Sequence, residues 1–223
     1  MQYTLTRSRR KTIAIHIING AVDVRAPLFA TKRDIDRFVL SKEKWIKEKL
    51  EKSVNQIEKR ESFNIDYGAR ILFRGREYPI VAREGIHVGF DEVQFYMPPN
   101  FSSEQVKNAC VQLYRMLAKD VLTDRVSDYA ELMKVAPTAV KINSAKTRWG
   151  SCSAKKSLNF SWRIIMADDD VIDYLVVHEL AHITEMNHSK RFWTVVEGVL
   201  PDYKERQKRL KQLQHRLSGE NWE

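Results

Sequence analysis

One stretch constrains the fold more than any other: VVHELAHITEMNH, residues 176–188. His178 and His182 stand four positions apart, and Glu179 follows the first of them directly. Around them Val171, Leu175, Val176, Leu180 and Ile183 recur at helical spacing, so the segment is predicted to be a helix with one buried stripe. On a helix, side chains four apart share a face. Both imidazoles therefore lie one turn apart, where they can share a metal at about 2.0–2.1 Å each. Glu179 falls about a quarter-turn away, beside that metal, where a carboxylate can take a proton from water and pass it to a leaving amine. The alternative reading is a histidine pair without a metal, and an adjacent acid is not needed for that.

A pair of histidines does not complete a site. His16, His87, His188 and His215 are the other histidines, and His188 is the nearest. A continuous helix would carry it about 9 Å along the axis from His182, at about 1.5 Å per residue. The chain must therefore leave the helix after Thr184 or Glu185 and turn back. Met186-Asn187 is the segment predicted to do so, because asparagine tolerates the left-handed conformation that ends helices. His188 is the preferred third ligand, with Glu185 or an acid farther on as the competitor. One class of zinc proteases has a turning glycine at the position of Glu185, and this chain does not.

The remaining segments suggest an α+β fold. Asn19-Gly20 between two apolar stretches predicts a β-hairpin. Thr31 is a candidate cap for one long helix running to about Arg60. A second β stretch follows through residues 71–97, with turns at Gly75 and near Asp91-Glu92. Ser102 or Ser103 is placed to cap a helix to about Lys134. Residues 139–153 and 157–167 then predict two antiparallel strands, and Asp168, Asp169 and Asp170 sit where the His-Glu-x-x-His helix should begin. Two more helices follow, one from His188 or Ser189 and one after Pro201. The expected organisation is an N-terminal mixed β/α region of β-hairpins and a long helix, residues 1–100, and a zincin-like catalytic part, residues 101–223, whose small antiparallel sheet packs on the His-Glu-x-x-His helix.

Composition narrows the partners. The net charge of +9 admits nucleic acid as a partner through a basic surface. However, Lys and Arg are interleaved with acids in the predicted helices, which is the pattern of a solvated face. Cys110 and Cys152 form no Cys-x-x-Cys pair, so a structural zinc site of four ligands is not on offer and a reducing cytoplasm is expected. Cys152 reads as a structural thiol rather than a nucleophile, because no Cys/His pairing is visible. No apolar run reaches the roughly 20 residues that span a bilayer, and the first eleven residues lack the apolar core of a secretory signal.

Three blocks in order, RWGSCS (Arg148–Ser153), NFSWRIIMA (Asn159–Ala167) and VVHELAHITEMNHSKRFW (Val176–Trp193), resemble the YgjP-like metallopeptidases, relatives of the SprT-like and WLM zinc proteases. The resemblance covers the second half of the chain closely and the first half in general layout. It implies Zn²⁺ held by His178, His182 and His188, with Glu179 as the base, and hydrolysis of peptide bonds in a peptide or protein. The Asp168–Asp170 stretch departs from the proline- and glutamate-rich form expected there. Substrate in such proteases can add to a strand edge beside the metal. The strand holding Asn159, Phe160, Ser161 and Trp162 is the candidate for that contact. Trp149, Trp162 and Trp193 read as core. A metal-dependent hydrolase of a non-peptide amide would use the same three histidines.

Overall fold

The computed structural model describes residues 2–222 and contains two compact units. The first is the chain through Phe63 together with Leu217–Asn221. The second is Asn64–Arg216 with Trp222.

In the first unit β1 (Thr4–Ser8), β2 (Ala14–Ile18) and β3 (Ala21–Pro27) form a sheet in the order β1-β3-β2. The hairpin predicted at Asn19-Gly20 joins β2 to β3, with both turn residues in the left-handed region at φ 49° and 73°. That is the backbone twist a tight hairpin needs. Helix α1 (Lys32–Ser41) is capped by Thr31, whose side chain accepts from the Asp34 amide. The single long helix expected here is two. Lys42 breaks it, and α2 runs Glu43–Glu61. A cause is visible: the Ser41 hydroxyl donates to the Phe38 carbonyl at 2.7 Å, offering the backbone a partner outside the helical ladder. Val22, Val24, Ala26, Ile35, Val39 and Ile46 form this unit's core.

The second unit begins with β4 (Arg70–Phe73), β5 (Arg76–Ala82), β6 (Gly89–Phe90) and β7 (Phe95–Met97), in the order β4-β5-β7-β6. The boundary expected at residue 100 lies instead at Phe63/Asn64. The physical reason is side-chain burial. Phe73, Phe90 and Phe95 pack ring against ring, and Phe95 continues edge-on to Tyr114. Tyr114, fully buried, donates its hydroxyl to the Leu72 carbonyl at 2.7 Å. Tyr114 belongs to α3 (Ser103–Met133), whose start carries a capping box between Ser102 and Gln105.

A small sheet follows, made of β8 (Ala139–Asn143), β9 (Gly150–Cys152) and β10 (Ser157–Ser161) in the order β8-β10-β9. β9 and β10 form the expected antiparallel hairpin, but β8 pairs with β10 in parallel. The strand expected to continue to residue 167 stops at Ser161, and Trp162–Met166 is a 3-10 turn that is buried throughout. Then come α4 (Asp169–Ala181), α5 (Lys190–Val199) and α6 (Tyr203–Leu217).

Asp168 occupies the cap position of α4 without bonding it through its side chain. The acids at this helix start face arginines instead. Arg74 forks onto Asp169 at 2.7 and 2.8 Å, Arg125 reaches Asp173 at 3.4 Å, and Arg209 pairs with Asp168 and Asp170. Arg206 donates to the Asp170 carbonyl at 3.0 Å. Part of the basic excess of the C-terminal helix is thus spent on α4. No helix among the described residues is long and apolar enough to cross a membrane.

Candidate active site

α4 owes its position to the apolar side chains that fill its middle and its last turns. Val171, Ile172, Val176, Val177, Leu180 and Ala181 are buried, and α3 and α5 pack against the helix. His178 and Glu179 are the polar interruptions of its last turns, and such side chains in a buried helix require a partner or a task.

The helix ends earlier than the sequence reading required. Ala181 is its last residue, and His182 occupies the C-cap. The chain unwinds through short turns, with the Ile183 amide bonded to the Leu180 carbonyl and the Thr184 amide to that of Ala181. Neither Met186 nor Asn187 has a positive φ, so the exit needs no left-handed residue. Asn187 acts through its side chain, whose Oδ1 accepts from the Ser189 amide at 3.1 Å. Ser189 then caps α5 by accepting from the Phe192 amide.

This path returns His188 to the pair. One ligating nitrogen from each of His178, His182 and His188 lies within 4.8 Å of the others, and the Nε2 atoms of His178 and His188 are 3.0 Å apart. Two nitrogens on one tetrahedral metal at about 2.05 Å would be roughly 3.3 Å apart, so the donors fit one ion. The Nδ1 of His182 lies 3.0 Å from the Glu185 carbonyl, a bond that fixes the ring and leaves Nε2 free. Glu185 thus contributes through its backbone, and its carboxylate is not among the converging donors. Phe192 touches all three rings at centroid distances of 4.5–4.9 Å, and Trp193 stacks on His188 at 5.7 Å.

The electrostatics suit neutral ligands. Burial, reinforced by His182 and His188, pushes the His178 imidazole down to about 3. Burial also lowers His182. Their lone pairs are therefore available at neutral pH, as metal binding demands. Glu179 is 4% exposed, and burial pushes its carboxyl up to about 7 against the opposing pull of the Arg148 charge. A cleft of about 250 Å³ opens beside His178 and Glu179, lined by Trp149, Gly150, Tyr174 and Leu210 among others.

The residues expected to touch substrate are placed differently. β10 is the middle strand of its sheet, hydrogen-bonded on both edges, so it offers no edge to a peptide. Phe160, Ser161 and Trp162 are 0%, 1% and 1% exposed. Ser161 donates to the Ala145 carbonyl, and Trp162 stacks on Tyr114. Asn159 is half-buried, and its Oδ1 has no partner. The alternation that makes a strand amphipathic was outweighed here by sheet order, which local sequence does not encode. Cys152 is half-buried, and burial followed by the Glu179 charge raises its thiol, so it lacks thiolate character. Sequence reasoning missed Phe192 and left Gly150 of RWGSCS without a role. A glycine inside a strand is the signal that would have found the latter, since it marks close approach of another group.

The family model of the YgjP-like metallopeptidase domain matches residues 11–213. No curated protein matches the chain. Among solved structures, the metallopeptidase zymogen abylysin of Pyrococcus abyssi aligns at 24% identity and a TM-score of 0.39, covering 41% of this chain and 92% of that one. The zymogen jannalysin of Methanocaldococcus jannaschii aligns at 21% and 0.37, covering 41% and 94%.

Proposed function

The chain belongs to the YgjP-like metallopeptidase family, and from that premise we propose that it is a zinc-dependent peptidase in which His178, His182 and His188 hold the metal and Glu179 is the general base. The observation that carries this reading is the convergence of three imidazole nitrogens within 4.8 Å. Three nitrogen donors without a thiolate suit zinc, and three protein ligands leave a position open, the arrangement of catalytic rather than structural sites. When bound, zinc supplies a Lewis acid that acidifies water and polarises a carbonyl.

The chain's own groups do the rest. The Glu179 carboxylate, buried and raised to about 7, is poised to accept a proton near neutral pH and return it to the leaving amine. Arg148 favours its ionised form, the one that acts as base. The Glu185 carbonyl orients His182, and Phe192 with Trp193 fixes the ring planes of the ligands. An extended substrate would add at β9, the edge strand that adjoins Glu179, rather than at β10.

The test is digestion of an unbiased peptide library by zinc-loaded protein, with Glu179→Gln as control. The wild type is expected to cleave. The variant is expected to retain zinc and lose roughly 10²–10⁴-fold in rate. Bound zinc with no hydrolysis of any library member, or equal cleavage by both proteins, would overturn the reading.

A further inference from the structure

Gly150 opens β9 and faces the catalytic helix. A Cβ built on it would stand 2.5 Å from Oε1, 2.8 Å from Cδ and 2.8 Å from Cγ of Glu179. Real side-chain carbons do not approach so closely, so the space a side chain would fill at position 150 is occupied by Glu179. The need for glycine is steric and not conformational, because Gly150 has no positive φ. In open space, replacing an extended glycine by alanine raises stability slightly by restricting the unfolded chain.

Neither wall has room to retreat. On the strand side, Gly150 is in register with fully buried Phe160, and the Ser161 amide donates to the Trp149 carbonyl at 2.8 Å. On the helix side, Glu179 is flanked by Val176, Val177, Leu180 and Ala181, each 0% exposed. Between these walls the carboxylate receives no hydrogen bond among the described residues that would fix its direction. A flexible three-torsion side chain is thus oriented by packing and by the charge of Arg148, and the backbone of β9 is a surface it packs on.

We propose that Gly150 is a positioning residue for the Glu179 carboxylate: the absent side chain at the head of β9 is the seat that holds the base beside the three histidines. The inference rests on the reading of Glu179 as base. Any side chain at 150 leaves one inexpensive relief, rotation of Glu179 about its own torsions, which turns the carboxylate out of place while leaving His178, His182 and His188 untouched.

The experiment compares Gly150→Ala with the wild type and with Glu179→Gln, all zinc-loaded, using fluorescein-labelled casein as substrate. Gly150→Ala is expected to bind zinc at wild-type stoichiometry and to lose roughly 10–100-fold in kcat, with KM within about threefold, as for a misplaced catalytic group. An inactive Glu179→Gln with Gly150→Ala near wild-type kcat would overturn this inference alone. An active Glu179→Gln would overturn the base assignment instead. A second arm needs no activity and covers a poorly folding variant. In metal-free protein, Gly150→Ala is expected to lower the melting temperature by roughly 2–6 °C on the wild-type background. On a Glu179→Ala background the same change is expected to leave it equal or higher. An equal loss on both backgrounds would show that Glu179 is not the group in the way, and would overturn the proposal.

Discussion

Glu179 combines two properties at the level of the single residue. It is almost wholly buried, and its carboxyl is raised by burial to about 7. Between its unfolded value near 4.5 and about 7, the folded metal-free protein holds a proton that the unfolded chain releases. The stabilisation tied to that proton is full below 4.5 and is lost as pH rises through about 7. Metal-free wild type is therefore expected to lose up to about 3 kcal/mol relative to Glu179→Gln between pH 4.5 and 7.5. Urea melts of chelator-treated protein across that range measure it, and parallel curves for the two proteins would refute it. Glu179 and the first two histidines were legible because an i, i+4 spacing on a helix is a local geometric fact. Gly150 was not legible, because its neighbour is 29 positions away in sequence.

Among the elements, α4 is the one everything else positions. Its C-terminal end carries His178, Glu179 and, at the C-cap, His182, and its N-terminal half is gripped by arginines from three other segments, Arg74, Arg125 and Arg209. The turn between β4 and β5 presses on the same helix start. Gly75, at φ 76°, sits where a Cβ would lie 1.9 Å from the Asp168 carboxylate and 3.2 Å from the Asp168 Cα. Gly75→Ala therefore meets a left-handed backbone and a fixed obstacle together, and it is expected to cost about 2–4 kcal/mol. Chemical denaturation measures the loss, and a change under about 0.5 kcal/mol, the range of ordinary surface substitutions, would refute it. Hairpin and cap signals placed β2–β3 and the starts of α1 and α3. They failed at Lys42, where the expected helix is two, and at Trp162, where a strand-like apolar run is a buried 3-10 turn. An apolar run reports burial, and burial is shared by strand and turn.

In the whole molecule, the candidate metal ligands and four of the five tryptophans, Trp149, Trp162, Trp193 and Trp222, belong to the same compact unit, whereas Trp45 belongs to the other. Tryptophan fluorescence thus reports chiefly on the unit that bears the site. If the three histidines hold zinc as proposed, the ion at about 100 times its dissociation constant would add about 2.7 kcal/mol to that unit's stability. The fluorescence melting temperature is expected to rise by roughly 5–10 °C with zinc, and His188→Ala is expected to abolish most of the rise. An unchanged shift in that variant would remove His188 from the ligand set. The sequence by itself determined the family and the α+β class, and it singled out His178, Glu179 and His182 as a candidate site, because each is written in spacings within one turn of helix or in contiguous blocks of residues. Only the tertiary structure decided that His188 returns to the pair without a left-handed residue, that β9 and not β10 is the edge beside Glu179, and that Glu179 fills the space a side chain at position 150 would need. Those facts depend on which segments become neighbours, and sheet order and side-chain packing are set by the burial of the whole core rather than by any one stretch of it.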